Sequence, residues 1–149
     1  MAHDFVRFPE LTNSQLEVLE FESPHKQITE DFKALVVKVT DGDTIRIRTT
    51  FRDFDFPLRF LDIDAKEIGD GGENARDWLH DQIFNKVVQI RMDKFNRVDK
   101  WGRLLGRVFN AGLDVGQQEI YLGLATDFTK RMDGKLPSTS KTFRLSQWF

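Results

Sequence analysis

Residues 33–49 read KALVVKVTDGDTIRIRT, and this stretch decides the fold. Residues 33–39 are rich in apolar and β-branched side chains, which favours a strand. Asp41-Gly42 is a common hairpin turn sequence. Residues 44–49 then alternate apolar and polar side chains, as a strand with one buried face does. The stretch therefore predicts a β-hairpin with an Asp-Gly-Asp sequence at its turn.

Further strand and helix patterns follow the hairpin. Residues 52–57 contain Asp and Pro and are predicted as a turn, and Leu58–Ile63 as the third strand. Glu73–Asn85 has apolar side chains at three- and four-residue spacing, which predicts a helix. Two more strands are predicted, at Val87–Met92 and Leu104–Phe109. A second helix, capped by Asp114, completes the pattern, and its apolar contacts come from Val115, Ile120, Leu122 and Leu124. This order predicts a mainly β protein with helices (β+α), a five-stranded Greek-key barrel on which two or three helices pack.

The chain of 149 residues is predicted to form one domain with a segment on either side. Residues 1–32 are an N-terminal extension, residues 33–128 are the barrel domain, and residues 129–149 are a short basic C-terminal segment. A short amphipathic helix is predicted at Asn13–Phe21, capped by Asn13 or Ser14. The C-terminal segment has one acidic and five basic residues. A solvated arm is a simpler interpretation of it than a phosphate-contacting one.

Composition excludes several classes of protein. The chain has no Cys, which excludes disulfides and thiolate metal sites. No apolar run approaches about 18 residues, so neither a membrane span nor a membrane partner is expected. The sequence begins without a basic segment followed by an apolar one, so no signal peptide is expected. A cytoplasmic monomer is the default expectation, although the sequence leaves the oligomeric state unknown, and the net charge of −2 is unusual for a nucleic-acid binder.

Two carboxylates lie at predicted strand ends. Asp43 begins one strand and Asp64 lies just past the end of another, and neighbouring strands are about 4.8 Å apart. Both could therefore reach one divalent cation such as Ca²⁺, which prefers oxygen ligands. Asp41 could support Asp43 from behind. Taken alone, the Asp-Gly-Asp sequence is more typical of a plain hairpin turn.

Arg59 and Glu67 flank Asp64 in the sequence. Glu67 could position or deprotonate a water activated by the cation. Arg59 could bind two phosphate oxygens and neutralise the charge that develops when a phosphodiester is cleaved. Without such a site, Glu67 would be a surface-loop acid and Arg59 a solvent-facing strand residue or an ion-pair partner.

A basic segment precedes the fifth predicted strand and continues into it. The basic residues are Lys94, Arg97, Lys100, Arg103 and Arg107, and Asp99 is the only acidic residue between them. Gly102 suits a turn, and an exposed Trp101 would offer a stacking surface for a nucleotide base. The alternative is that Trp101 packs into the core from the tip of a hairpin.

Together these segments resemble the thermonuclease, or staphylococcal nuclease-like, family. The similar segments cover about residues 33–128 in the family's order, and they are Val37–Thr44, Leu58–Glu67, Gly72–Leu79 and Asp99–Arg107. Each segment is weak evidence alone, whereas the combination is specific. The resemblance implies an OB-fold barrel and Ca²⁺-dependent hydrolysis of phosphodiester bonds in DNA and RNA, although other divalent ions could serve.

The resemblance also implies a role for each candidate residue. Asp43 and Asp64 match the metal ligands, together with the backbone carbonyl of Ala65, which stands where the family often has Thr. Glu67 matches the glutamate assigned to general-base or water-orienting work. The remaining matches are two pairs: Arg59 and Arg103, which bind the scissile phosphate, and Lys100 and Trp101, which bind the nucleotide.

Some features depart from the family's pattern. Lys66 replaces a common Pro beside Glu67, and the acidic net charge differs from that of secreted members. The N-terminal extension has no counterpart in the minimal domain. These departures leave an alternative, a catalytically weak or inactive OB-fold module that binds nucleic acid or protein. The complete set of candidate residues favours the nuclease.

Overall fold

The computed structural model describes residues 4–19, 23–65 and 72–127. These residues form three helices, which are α1 (Asn13–Leu19), α2 (Gly72–Ile83) and α3 (Val115–Tyr121). They also form eight strands, which are β1 (Phe32–Asp41), β2 (Thr44–Thr49), β3 (Arg52–Phe60), β4 (Ile63–Ala65), β5 (Val87–Arg91), β6 (Leu104–Asn110), β7 (Leu113–Asp114) and β8 (Ala125–Asp127). Within these ranges, every helix is too short or too polar to cross a membrane.

Five of the strands close into a barrel. Their order is β3-β2-β1-β5-β6, and β6 returns to pair with β3. The β3–β6 pairing is parallel, with Arg59 opposite Leu105. β7 extends the barrel sheet beside β6, while β4 and β8 form a separate two-stranded sheet. The predicted mainly β fold with helices, a five-stranded Greek-key barrel of the OB-fold type, is therefore confirmed.

Alternation along the strands explains which side chains fill the barrel. In β2, Ile45 and Ile47 are buried, whereas Arg46 and Arg48 are exposed. α2 packs against β1 and contributes its own apolar face, with Ala75, Leu79 and Ile83 buried. Burying one such aliphatic side chain is worth about 1.5–3 kcal/mol. The core therefore fixes the register of β2, and with it the Asp-Gly-Asp turn at its start.

The predicted turn at residues 52–57 is wrong. These residues form the first part of β3, and the chain reverses at residues 50–51 instead. Phe56 is buried in the barrel, whereas the Asp55 carboxylate accepts two hydrogen bonds from the exposed Arg48. Cross-strand packing and pairing therefore override the turn propensity of Asp and Pro here.

The third predicted strand, Leu58–Ile63, is divided in two. β3 ends at Phe60, and Asp62 adopts a positive φ of 66° before β4 begins. Because of this break, β4 leaves the barrel and pairs with β8, where Asp64 lies opposite Thr126. The break therefore brings Asp64 into position for the candidate site.

The N-terminal extension packs on the barrel. α1 confirms the predicted helix, but its cap is Thr12 rather than Asn13 or Ser14. The Thr12 hydroxyl accepts from the Gln15 backbone N–H, and the Gln15 side chain accepts from the Thr12 N–H, which is a reciprocal capping box. Phe21, the predicted end of the helix, lies outside the described residues. Several residues of the extension are buried, namely Pro9, Glu10, Leu11, Gln27 and Ile28.

Candidate active site

The turn between β1 and β2 fixes the Asp43 carboxylate. The Asp43 N–H donates to Asp41 Oδ1 over 3.1 Å, and the Asp43 carbonyl accepts from the Phe60 N–H over 2.8 Å. Its Oδ2 accepts from the Ala65 backbone N–H at 3.0 Å, and its Oδ1 accepts from the Thr44 hydroxyl at 3.1 Å. These contacts hold a nearly buried anion where β2, β3 and β4 meet.

Arg59 lies between Asp43 and Asp64. Its Nη2 is 3.3 Å from Asp43 Oδ2 and 3.4 Å from Asp64 Oδ1. Its Nη1 donates to the backbone carbonyls of Phe60 and Ile63, over 2.8 and 3.0 Å. The two carboxylates therefore face one point, and a positively charged group stands there.

The predicted metal ligands are thus brought together. Asp43 and Asp64 offer carboxylate oxygens, and Ala65 follows Asp64 with its N–H bonded to Asp43. Carboxylate, backbone carbonyl and water oxygens are the ligands that Ca²⁺ takes, so this donor set fits such an ion. Among the described residues, no group of three or more acidic or histidine side chains could hold a metal ion. The predicted site needs only two carboxylates, because a carbonyl and water would supply the rest.

Asp41 lies behind Asp43 and has a shifted pKa. Partial burial, and after it the hydrogen bond to Asp43 and the negative charge of Asp43, raise the pKa of Asp41 to about 6. Asp41 therefore adds to the concentration of negative charge at the turn. A cation bound beside the turn would relieve this repulsion.

A buried carboxylate missed by the sequence reasoning lies next to the same turn. Glu119 in α3 is fully buried, and neither of its carboxylate oxygens has a hydrogen-bond partner in the described part of the chain. Its Oε1 is 3.3 Å from the position that a Cβ atom on Gly42 would take. Burial, and after it the charges of Asp43 and Asp41, raise the pKa of Glu119 to about 9. Its position four residues after the buried Val115 could have identified it, because such residues share a helix face.

Lys100, Trp101 and Arg103 form a second group, on the loop between β5 and β6. Trp101 is 60% exposed, so it does not pack into the core. Lys100 Nζ lies 4.6 Å from the centroid of the Trp101 ring, and Arg103 Cζ lies 5.4 Å from it. These distances are typical of cation–π contacts. The loop therefore presents an exposed aromatic surface with two positive charges beside it.

Asp99 organises this loop, a role that the sequence reasoning did not assign. Its Oδ1 accepts from the backbone N–H groups of Trp101 and Arg103, both over 2.9 Å. Its Oδ2 accepts from Arg103 Nε over 2.8 Å. An Asp two residues before a turn position commonly makes such bonds to the backbone, and this spacing could have identified Asp99.

The β3–β6 pairing brings the loop beside Arg59. Because β6 runs parallel to β3, Arg59 lies opposite Leu105, and Arg103 directly precedes β6. Side chains alternate along an extended chain, so Arg103 and Leu105 face the same side of the sheet as Arg59. The two predicted phosphate-binding arginines, Arg59 on β3 and Arg103 directly before β6, therefore lie on one surface.

Two of the residues discussed from the sequence, Lys66 and Glu67, lie outside the described residues. The role of Glu67 in activating water stays a prediction. The basic segment at residues 129–149 also lies outside the described residues, and its interpretation stays a prediction.

Comparison with known proteins identifies a family. The model of a family described as staphylococcal nuclease homologue matches residues 57–145, a range that includes Arg59, Asp64 and Arg103 but begins after Asp43. Micrococcal nuclease from Shigella flexneri is 41% identical to this chain over 83 residues. The similarity covers 53% of this chain and 43% of that relative. The chain therefore matches less than half the length of that relative.

Proposed function

This chain belongs to the family of staphylococcal nuclease homologues, and from that premise we propose that it is a metal-dependent nuclease. Its substrates would be DNA and RNA, and Ca²⁺ is the expected ion. The observation that carries the proposal is the Arg59 guanidinium held between the carboxylates of Asp43 and Asp64. Ligands for a hard cation and a donor for phosphate oxygens stand at one point, which suits phosphodiester hydrolysis.

Asp43, Asp64 and the backbone carbonyl of Ala65 would hold the cation. A divalent cation bound there would neutralise phosphate charge and lower the pKa of a water molecule. The chain's own contribution is to keep the ligands in place. The backbone N–H of Ala65 and the hydroxyl of Thr44 orient the Asp43 carboxylate. Asp41 Oδ1 accepts a hydrogen bond from the Asp43 backbone N–H.

Arg59 and Arg103 would bind the scissile phosphate. A guanidinium group can donate two hydrogen bonds to phosphate oxygens. Both arginines are already oriented by acidic partners, Arg103 by Asp99 over 2.8 Å and Arg59 by two carboxylates. Donors that are oriented in advance need little reorganisation when charge develops in the transition state. Glu67 would orient or deprotonate the attacking water, as its place three residues after Asp64 suggests.

Lys100 and Trp101 would bind the nucleotide. The exposed Trp101 ring offers a face for base stacking, which is worth about 1–3 kcal/mol per base and tolerates different bases. Lys100, whose Nζ lies near the same ring, would contact the phosphate backbone. This surface favours a single-stranded substrate, because the bases of a duplex are already stacked on one another.

Cleavage of single-stranded DNA by the purified protein, with Ca²⁺ and with chelator, tests the proposal. Arg59→Ala is the test variant, and Arg48→Ala is its matched control on the neighbouring strand, where Arg48 is paired with Asp55. We expect Ca²⁺-dependent cleavage that falls by about 10²–10³ in Arg59→Ala and stays unchanged in Arg48→Ala. Equal losses in both variants would show that Arg59 has no special role.

The second candidate function is an OB-fold module that binds nucleic acid without cleaving it. The exposed Trp101 with the side chains of Lys100 and Arg103 beside it favours this candidate, because such a surface binds single strands without a bound metal ion. Absence of cleavage, together with oligonucleotide binding that persists in chelator and is lost in Trp101→Ala, would support it over the nuclease.

A further inference from the structure

Phe8 of the N-terminal extension packs on the residue between Trp101 and Arg103. A Cβ atom on Gly102 would lie only 2.5 Å from Phe8 Cδ1 and 3.2 Å from its Cβ and Cγ. Gly102 also has a φ of +85°, which other residues rarely adopt. A glycine here therefore lets the Phe8 ring lie directly on the backbone of the predicted substrate-binding loop.

A tight turn holds Phe8 in this position. The Asp4 side chain accepts from the backbone N–H groups of Val6 and Arg7, both over 3.1 Å. The Asp4 carbonyl accepts from the Phe8 N–H over 2.9 Å. The Arg7 guanidinium lies over the Phe8 ring, with Cζ 5.5 Å from the centroid. Local hydrogen bonds therefore build the conformation that presents the ring.

Arg97 ties the same loop to the extension from the inside. Its guanidinium is buried, and it donates from Nη1 to the Leu11 carbonyl and from Nε to the Ile28 carbonyl, both over 2.8 Å. Its Nη2 is 3.3 Å from Glu10 Oε2. A buried charge strongly destabilises a protein once its partners are lost. Arg97 therefore fixes the middle of the loop to residues of the extension.

Two further contacts complete the attachment. Asn13 Nδ2 donates to the Lys94 carbonyl over 2.7 Å. Glu10 Oε1 accepts from Arg52 Nη2 over 2.6 Å, which anchors the extension to the start of β3. The extension is thus bound to the barrel by Glu10, and it holds the β5–β6 loop at three points along residues 94–102.

We propose that the N-terminal extension positions the β5–β6 loop for substrate, with Phe8 as the positioning residue for Trp101 and Arg103. This inference rests on the proposed function, because it assigns substrate binding to that loop. A loop that is held before the substrate arrives loses less conformational freedom on binding. Truncating Phe8 should therefore raise KM and weaken oligonucleotide binding, while the group at Asp43 is left unchanged.

Phe8→Ala and Val6→Ala form a matched pair of variants. Val6 lies in the same turn but is 93% exposed, so its truncation leaves the contact on Gly102 intact. For both variants we would measure hydrogen exchange at residues 93–103, oligonucleotide affinity in chelator, and kcat and KM with Ca²⁺. Phe8→Ala should accelerate exchange in the loop and weaken affinity about two- to tenfold, with a larger change in KM than in kcat. Val6→Ala should match the wild-type protein.

Trp101→Ala completes a double-mutant cycle with Phe8→Ala. If Phe8 acts through the loop, Phe8→Ala should weaken oligonucleotide binding less in the Trp101→Ala background than in the wild-type protein. Phe8→Leu keeps an apolar side chain over Gly102 and should recover most of the affinity. It also keeps the test decisive if Phe8→Ala folds poorly. In that case both variants would be heated mildly, and hydrogen exchange in the loop should be slower in Phe8→Leu than in Phe8→Ala.

Unchanged loop exchange in Phe8→Ala would overturn the proposal, and so would an equal loss of affinity with and without Trp101. A wild-type protein that neither cleaves nor binds the oligonucleotide would refute the nuclease function instead. In that case the exchange measurement still decides whether the extension holds the loop. The two failures are therefore distinguishable.

Discussion

Asp43, Arg59 and Asp64 form a strand-borne group, in which Arg59 and Asp64 lie on strands and Asp43 lies in the turn directly before β2. Trp101 and Arg103, in contrast, lie on a loop that Phe8 and other residues of the N-terminal extension help to hold. The first group is bonded to backbone atoms of the barrel and of β4, as when Asp43 accepts from the Ala65 N–H. The loop depends on side chains that reach it from a segment distant in sequence. The proposed cation-binding part of the site therefore comes with the fold, while the proposed substrate-binding part depends on sequence outside the barrel.

This difference separates two kinds of change. Substitutions in the strand-borne group should abolish the chemistry, since every component of it serves the same point. Substitutions in the loop or the extension should change substrate affinity by smaller factors and leave cation binding intact. Cation affinity and substrate affinity, measured separately, therefore test the comparison directly.

The largest expected effect is that of Asp43→Ala. This change removes a predicted metal ligand and a partner of Arg59, so Ca²⁺ affinity measured by calorimetry should fall by more than about 100-fold. Turnover should fall at least as far, because charge stabilisation at the phosphate is lost with it. Oligonucleotide affinity in chelator should change little, since Trp101 and Lys100 lie elsewhere.

Asp55→Ala is the control for Asp43→Ala. Asp55 is an aspartate on a barrel strand whose partner is the exposed Arg48, and such surface pairs are worth about 0–1 kcal/mol. This variant should keep full Ca²⁺ affinity. If Asp43→Ala retained normal Ca²⁺ affinity as well, the cation would have to bind elsewhere in the protein.

The next largest effect concerns Glu119 and the stability of the barrel beside the cation site. Its pKa is raised to about 9 in the folded protein, so above its ordinary pKa near 4.5 the folded state binds more protons than the unfolded state. The contribution of Glu119 to the free energy of unfolding is then fully present below about pH 4.5. It is lost as the pH rises toward 9, by up to about 1.4 kcal/mol per pH unit. Glu119→Gln should remove this slope in urea unfolding experiments in chelator.

Asp41 titrates in the same direction but over a lower range. Its pKa is raised to about 6, so the loss of stability that its ionisation causes is complete just above that pH. The comparison of the wild-type protein with Glu119→Gln should therefore be made between pH 6 and 9. Parallel stability curves for the two proteins over that range would show that Glu119 is ionised in the folded protein at neutral pH.

Patterns of short period predicted most of the barrel. The alternation of residues 44–49 predicted the limits of β2, and the helical spacing in Glu73–Asn85 predicted α2 to within two residues. The turn expected at residues 52–57 was wrong because the propensities of Asp and Pro do not reflect the pairing of β3 with β2. Residues 52–57 pair with the preceding strand, from Arg52 opposite Thr49 to Pro57 opposite Arg46, and the local composition of the segment does not indicate this pairing.

The candidate site divides in the same way. Asp43, Arg59 and Asp64 could be grouped in advance because a resemblance to known motifs supplied the long-range information, whereas Glu119 was missed although its helix position was readable. The contacts of the extension were invisible for a different reason. Glu10, Arg52 and Arg97 pair across large sequence separations, and no local pattern indicates such partners.

A smaller effect is expected at Asp99, within the loop. Asp99→Ala removes the acceptor of two backbone N–H groups and the partner of Arg103 Nε, so kcat/KM should fall by about tenfold or more. Asp99→Asn keeps an oxygen that can accept the backbone bonds and should lose less. Both variants should keep full Ca²⁺ affinity, and a loss of that affinity would show that the loop and the strand-borne group are not independent.

The smallest effect is expected at Thr12, which caps α1. Thr12→Ala removes the hydroxyl that accepts from the Gln15 N–H, and loss of such a cap costs about 0.5–2 kcal/mol. Because α1 buries none of its residues, the free energy of unfolding should change near the lower limit. Oligonucleotide affinity should stay within about twofold of the wild-type value, since Phe8 and Arg97 still hold the loop. If Thr12→Ala weakened binding as much as Phe8→Ala does, the extension would position the loop through α1 and Asn13 rather than through the ring on Gly102.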